Sequence, residues 1–344
     1  MEIELLKDTI EKLFANGKGI LAMDESTPTC DKRFEANGIP KTSEMRRKYR
    51  QLIIKTQDLS DSIGGAILYE ETLHQKTDDG EFMATALLKA GIIPGIKVDQ
   101  GTKILVGFEN EKITEGLDGL QERLVAYKIM GVLFAKWRAV ITIGDGIPTD
   151  ACIHANVQDL ARYAAICQHQ GIVPIVEPEV LMDGNHSFQE CYDVTEKVLK
   201  SLFYQLYLFK VNLEGIILKP NMILAGKENK TQHTEDEVAQ ATVKCFLSAV
   251  PASVPVIAFL SGGQSPEKAA AHLNAINKNF KNHLPWKVSF SFARAIQEPA
   301  LATWKGNTDN VSEAQKLLYR RAKIASAARL GEYKPEMEKQ DYYS

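Results

Sequence analysis

Residues 255–266 read PVIAFLSGGQSP, and the order of residue types in this stretch decides the fold. Pro255 to Leu260 is a short apolar run, which suits a strand buried on both faces of a parallel sheet. It passes directly into Ser261-Gly262-Gly263-Gln264, after which Ser265 as N-cap and Pro266 at the first helical position start a helix. Strand, glycine turn and helix start in immediate succession make a βα unit. The two glycines let backbone N–H groups close on an anion, with the helix dipole assisting. Glycine turns are common between strands and helices, so this one gains its weight from its place in the chain.

That place is set by the other strands. Downstream, Lys287 to Phe292, KVSFSF, is an eighth strand ending at Arg294. A phosphate site built from the loops after strands seven and eight recurs in (β/α)8 barrels. Upstream, strands are predicted at Gly19 to Asp24, Gly64 to Tyr69, Pro94 to Asp99, Leu133 to Ile141, Ile172 to Glu177 and Ile216 to Leu218. Helices are predicted between them: Thr42 to Leu59, Phe82 to Ala90, Asp118 to Gly131 with Gln121 in the capping-box position, Asn156 to Gly171, one opened by Ser187 and Glu190, and one opened by Thr234 and Glu237. Ile3, Leu6, Ile10, Leu13 and Phe14 give an additional N-terminal helix, and Ser312 to Leu330 gives the last one, stopped at Gly331. The expected fold class is therefore α/β: a (β/α)8 TIM barrel over residues 1–331 as a single catalytic domain, with an extra N-terminal helix and a flexible, polar C-terminal tail over 332–344.

Composition excludes several classes. The chain has 344 residues and a net charge of -3, with acids and bases mixed throughout, so it offers no basic stripe to nucleic acid. Its five cysteines are widely spaced without a CxxC pair, which predicts free thiols in a reducing, cytoplasmic compartment. The opening MEIELLKDTIEKL alternates charge with apolar residues, and no window approaches 18 apolar residues. Neither a signal peptide nor a membrane span is expected.

Lys219 follows Ile216-Ile217-Leu218 at the C-terminal end of the sixth strand, and Pro220 biases it towards extended dihedrals. A lysine there can attack a ketone and form a Schiff base once its amine is neutral. Lowering an ammonium pKa from ~10 to ~7 takes about 4 kcal/mol, and a second cation about 4 Å away supplies roughly that. Lys136 and Arg138 in the fourth strand share one face and are candidates, if the fourth and sixth strands approach across the barrel; the alternative is an edge strand wetting its polar side. Glu177 and Glu179 share a face at the end of the fifth strand. With only His186 near ligand spacing they argue for proton transfer and against a metal. Asp24 ends the first strand, as an active-site acid or as the N-cap of the next helix. Ser26, Thr29 and Arg33 beyond it suit a phosphate, and Lys97 lies in the third strand. Asp24, Lys97, Lys136, Arg138, Glu177, Lys219, Ser261 and Arg294 thus fall on the rim that carries the active site in such barrels.

LAMDEST, GIKVDQG, FAKWRAV, IVEPE, LKPNM, FLSGGQS and FSFARA resemble, in that order, the motifs of class I fructose-1,6-bisphosphate aldolase, from about Gly17 to about Gly331. The resemblance implies a metal-independent, cofactor-free lyase that cleaves fructose 1,6-bisphosphate to dihydroxyacetone phosphate and glyceraldehyde 3-phosphate, in glycolysis and gluconeogenesis. It implies Lys219 as the Schiff-base residue, Glu177 as the acid/base for carbinolamine dehydration, Lys136 as the neighbouring cation, Asp24 as the group that assists proton removal from the C4 hydroxyl, and Glu179 as a further active-site carboxylate. Ser261, the Gly262 backbone and Arg294 resemble the site for the ketone-half phosphate; Lys97, Arg138, Arg33 and Ser26 resemble binders of the second phosphate. The family is usually a homotetramer.

Three positions depart from the pattern. The chain ends Tyr342-Tyr343-Ser344 where the best-known members end in a proton-shuttling tyrosine. Ala293 stands where many members have glycine, and Pro28 replaces a glycine after DEST. Sedoheptulose 1,7-bisphosphate or fructose 1-phosphate would use the same imine chemistry. A non-catalytic scaffold barrel is the alternative from another class.

Overall fold

The apolar runs become ten strands among the described residues, 2–340 and 342, of this computed structural model. They are β1 (Gly19–Met23), β2 (Ile63–Leu68), β3 (Ile93–Lys97), β4 (Thr102–Ile104), β5 (Lys112–Thr114), β6 (Phe134–Ile141), β7 (Val173–Val180), β8 (Ile217–Leu218), β9 (Val256–Phe259) and β10 (Lys287–Phe292). Eight close into a parallel barrel in the order β1, β10, β9, β8, β7, β6, β3, β2, while β4 and β5 pair antiparallel as a separate hairpin. This is a (β/α)8 TIM barrel, as the alternation of strands and helices predicts.

Period-two alternation sorts the strand side chains into two layers. Ile20, Ala22, Ile67, Phe134, Val173, Ile175, Ile217, Val256 and Ala258 fill the lumen, and Leu6, Ile10, Leu13 and Phe14 of the N-terminal helix join the same cluster. The odd-looking extra helix thus belongs to the inner core. Side chains of opposite parity, such as Trp137, Phe290 and Phe292, belong to the larger core shared with the surrounding helices. Gly95 is required by the lumen: a Cβ there would stand 2.2 Å from Cε2 of Phe134.

The next inward positions along the same strands are charged. Ile20 and Ala22 lead to Asp24, Phe134 to Lys136 and Arg138, Ile175 to Glu177 and Glu179, and Ile217 to Lys219. A polar layer therefore lies directly above the apolar ones.

β8 is two residues long because Pro178, on the side of β7 that faces it, has no N–H to donate. Lys219 N–H still bonds Val176 O at 2.8 Å, and then the ladder on that side stops. Pro220 faces the other neighbour, its carbonyl accepting from Leu260 N–H at 3.1 Å. Val180 N–H is taken up by Asn221 Oδ1 at 3.0 Å.

Several predicted boundaries move. The helix expected from Asn156 starts at Asp150, with Thr149 as its cap accepting from Cys152 N–H; Asn156 lies inside it and donates to Lys112 O. The expected capping box at Asp118 and Gln121 is absent, because Gly119, left-handed at φ +66, takes the N-cap position of helix Leu120–Ile129. Directly after the first strand a short helix runs from Thr27 to Ala36. The long helix expected over 42–59 ends at Ile54. The boxes at Ser187/Glu190 and Thr234/Glu237 are both formed.

The C-terminal segment packs on the barrel's helices as far as it is described. Tyr333 N–H donates to Asn274 Oδ1 at 2.9 Å, its hydroxyl donates to Glu338 Oε1 at 3.1 Å, and Glu338 pairs with the buried Arg321.

Candidate active site

The charged layer forms the floor of a cavity of about 730 Å³ at the C-terminal mouth of the barrel. Asp24, Ser26, Arg33, Lys97, Lys136, Arg138, Glu177, Glu179, Lys219, Ser261, Gly262 and Arg294 all line it. Twelve residues spread over 270 positions of sequence therefore share one space.

At its centre four charges form a chain. Lys136 Nζ lies 2.9 Å from Asp24 Oδ2 and 3.1 Å from Glu177 Oε2, and Lys219 Nζ lies 3.1 Å from Glu177 Oε1. Lys136, Glu177 and Lys219 are 4%, 3% and 3% exposed, so these ions are held by one another and not by water. Lys136 and Lys219 do not meet across the barrel: β6 and β8 flank β7, and the Glu177 carboxylate of β7 sits between the two ammonium groups. The cation expected to destabilise the Lys219 ammonium is thus largely compensated by an anion.

Burial raises the Asp24 carboxyl, but the charges of Lys136 and Lys219 outweigh it and hold the group down at about 2. Burial likewise works against the Lys136 ammonium, and the carboxylates of Asp24 and Glu177 more than reverse it, leaving Lys136 above the ordinary lysine range. Glu177 is lowered for the same reason, the two lysines and Arg138 overriding its burial. Asp24 is accordingly not an N-cap: Ser26 occupies that position for helix Thr27–Ala36.

The outlying cations are also paired. Lys97 Nζ is 2.7 Å from Asp99 Oδ1, Arg138 pairs with Glu179, and Arg33 pairs with Glu25. In the ring of eight strands β9 stands opposite β3, and β10 opposite β6. Ser261 and Gly262 at the β9 end and Arg294 at the β10 end therefore face Lys97 and Arg138 from the opposite wall. Ser26 and Arg33 follow β1, next to β10, so they do not share a wall with Lys97 and Arg138. The Ser261–Gln264 turn closes with Gln264 N–H donating to Ser261 O at 3.0 Å, with Gly262 and Gly263 at φ +58 and +84. Consecutive positive φ values of this kind favour glycine, and Gly262 lines the cavity beside Ser261.

Three supporting features escape the sequence reading. Glu25, its side chain 9% exposed, receives Arg33, Arg50 Nη1 at 2.7 Å and Gln297 Nε2 at 3.0 Å, which fixes the turn carrying Asp24. Asp99 anchors Lys97. Ser291 lines the cavity with a buried hydroxyl that has no hydrogen-bond partner among the described residues. The alternation of KVSFSF was the available signal for Ser291; for Glu25 there was none. Tyr342 lies away from the cavity, its environment made by Glu338, Arg320 and Lys323, and Tyr343 lies outside the described residues. Among the described residues no group of three or more His, Cys, Asp or Glu is placed to hold a metal ion.

The family model described as class-I fructose-bisphosphate aldolase matches residues 4–343. A probable fructose-bisphosphate aldolase class 1 of Xanthomonas campestris pv. campestris is 52% identical over 335 residues, 97% of this chain and 100% of the relative. Fructose-bisphosphate aldolase 4, cytosolic, of Arabidopsis thaliana is 47% identical over 318 residues, 92% of this chain and 81% of the relative. A fructose-bisphosphate aldolase from Plasmodium falciparum, crystallised with TRAP and a small-molecule inhibitor, superposes with a TM-score of 0.94 at 47% identity, covering 97% of this chain and 96% of that one.

Proposed function

The chain belongs to the class I fructose-bisphosphate aldolase family of metal-independent Schiff-base lyases, and from that premise we propose how its own residues carry the cleavage. Lys219 is the residue that forms the imine with the C2 ketone of fructose 1,6-bisphosphate. The observation that carries this is Glu177, held 3.1 Å from Lys219 and 3.1 Å from Lys136 in a buried layer.

Glu177 accepts a proton from the Lys219 ammonium, the free amine adds to the ketone, and Glu177 returns the proton to the carbinolamine oxygen, which leaves as water. The protonated imine draws electrons from C3–C4. Asp24, kept ionised by Lys136, takes the C4 hydroxyl proton as that bond breaks, releasing glyceraldehyde 3-phosphate and leaving an enamine. Protonation and hydrolysis then free dihydroxyacetone phosphate. Lys136 keeps both carboxylates charged, and Glu179 sets the position of Arg138.

Ser261, the Gly262 backbone and Arg294 hold the ketone-half phosphate. Lys97 and Arg138 hold the other phosphate from the facing wall, with Ser26 and Arg33 contributing from the β1 side. A bisphosphate spanning the mouth is thereby gripped at both ends, which places C2 over Lys219.

The expected setting is the cytoplasm, in glycolysis and in gluconeogenesis by reversal. Support comes from the five buried free cysteines, the cytosolic relative, and the lack among the described residues of a helix long and apolar enough to cross a membrane. A homotetramer is the expected assembly; Ile129, Tyr204 and Tyr207, exposed on helices Leu120–Ile129 and Phe188–Leu208, are surface an interface would cover. Sedimentation equilibrium tests it, a monomer refuting it.

The test of the mechanism is borohydride reduction with dihydroxyacetone phosphate in EDTA, followed by peptide mass spectrometry. A triose-phosphate adduct on Lys219 is expected. An adduct on another lysine, or none on folded protein, would refute the assignment.

A further inference from the structure

Just outside the cavity lining, the segment after β8 brings a further cation to the glycine turn. Lys227 is fixed through its backbone, its N–H donating to Met182 O at 2.9 Å, and Gly226 packs so closely on Gly184 that a Cβ would stand 2.3 Å from its carbonyl oxygen. The Lys227 side chain then reaches over Gly263. A Cβ built on Gly263 would lie 2.7 Å from Lys227 Nζ and 3.1 Å from Arg294 Nη2. The two cations therefore stand within about 6 Å of each other over one turn.

Lys227 Nζ is paired with Asp183 Oδ1 at 2.7 Å. That pair is wet, with side-chain exposures of 38% and 65%, so it contributes little to folding. Asp183 is held below the ordinary carboxylate range by its hydrogen bond from Lys227 and, secondarily, by Arg294 and Arg138, so it too lies in the field of the phosphate grips. A phosphate dianion on the Ser261–Gly263 turn offers Lys227 more charge and more acceptor oxygens than one exposed carboxylate does.

We propose that Lys227 is a further ligand of the ketone-half phosphate and that Asp183 competes with the substrate for it. This rests on the aldolase reading above. The Asp183 carboxylate holds the ammonium beside the turn, and a phosphate arriving there takes the ammonium over and releases Asp183 to solvent. Affinity for the triose phosphate is thereby set by a carboxylate that never touches the substrate.

The condensation reaction separates the two phosphates, because dihydroxyacetone phosphate carries only the ketone-half one and glyceraldehyde 3-phosphate only the other. Lys227→Gln is expected to raise KM for dihydroxyacetone phosphate about tenfold, with KM for glyceraldehyde 3-phosphate unchanged. Asp183→Asn, which removes the competitor, is expected to lower KM for dihydroxyacetone phosphate. The triose-phosphate concentration that half-saturates borohydride trapping on Lys219 should move in parallel. An unchanged KM for dihydroxyacetone phosphate in Lys227→Gln would overturn the proposal, as would a rise confined to glyceraldehyde 3-phosphate. Failure of the aldolase reading is a different result: no Lys219 adduct in the unaltered protein. Binding of inorganic phosphate, measured by calorimetry, still tests Lys227 in that event, weaker binding in Lys227→Gln supporting it and equal binding refuting it.

Discussion

Replacing Lys136 by methionine tests whether the central chain of charges is organised as the geometry implies. The side chain keeps an unbranched stem and loses its charged end, leaving Asp24 and Glu177 buried with Lys219 as the remaining ammonium, in contact with Glu177. In the unaltered protein Asp24 lies at about 2 against 3.8 for a free group, which corresponds to about 2 kcal/mol of stability. That contribution is fully present above pH ~4 and is lost as the pH falls towards 2. Removing one partner of a buried ion pair costs roughly 3–5 kcal/mol, because the abandoned charge stays desolvated. Lys136→Met should lose about that much at pH 7. Burial, no longer overridden, should also raise a carboxyl of the pair above its unfolded value, so the variant binds a proton on folding. Relative to the unaltered protein, its stability should therefore rise as the pH is lowered from 7 towards 5. Urea unfolding at a series of pH values measures both effects, and cleavage activity should fall with them. A variant within 1 kcal/mol of the unaltered protein, with a parallel pH curve, would refute the reasoning.

Lys219→Arg should abolish turnover, because a guanidinium stays protonated and cannot attack a ketone; surviving cleavage activity would remove Lys219 from its role. Arg294→Ala should act chiefly on KM, raising it about tenfold through one lost charge-assisted phosphate contact; an unchanged KM would move the phosphate elsewhere. Gly95→Ala should destabilise by about 1–3 kcal/mol through overpacking against Phe134, read as a lower urea midpoint, and a neutral result would mean that the lumen yields at that point.

The order of strands and helices, the residues on the rim and the capping boxes at Ser187 and Thr234 were all legible because each rests on local periodicity or on a few neighbouring residues. Helix starts were less so. Thr149 and Asp150 lack the Glu or Gln three residues on that marks a box, and Asn156 looks like a cap until its side chain is seen bonding the carbonyl of Cys152. The β4–β5 hairpin escaped notice because its strands are three residues each and half exposed.

By itself, then, the sequence determined that Lys219, Lys136, Glu177 and Asp24 would point inward at the ends of parallel strands, since alternation along a strand and the residue before a proline are properties of the backbone. Only the closed barrel decided who meets whom. Strand order placed Glu177 between Lys136 and Lys219, set Ser261, Gly262 and Arg294 on the wall facing Lys97 and Arg138, and brought Glu25 to Arg50 and Gln297. Those are contacts between residues up to 272 positions apart. They depend on ring order and register, which pairwise spacing along one chain does not encode.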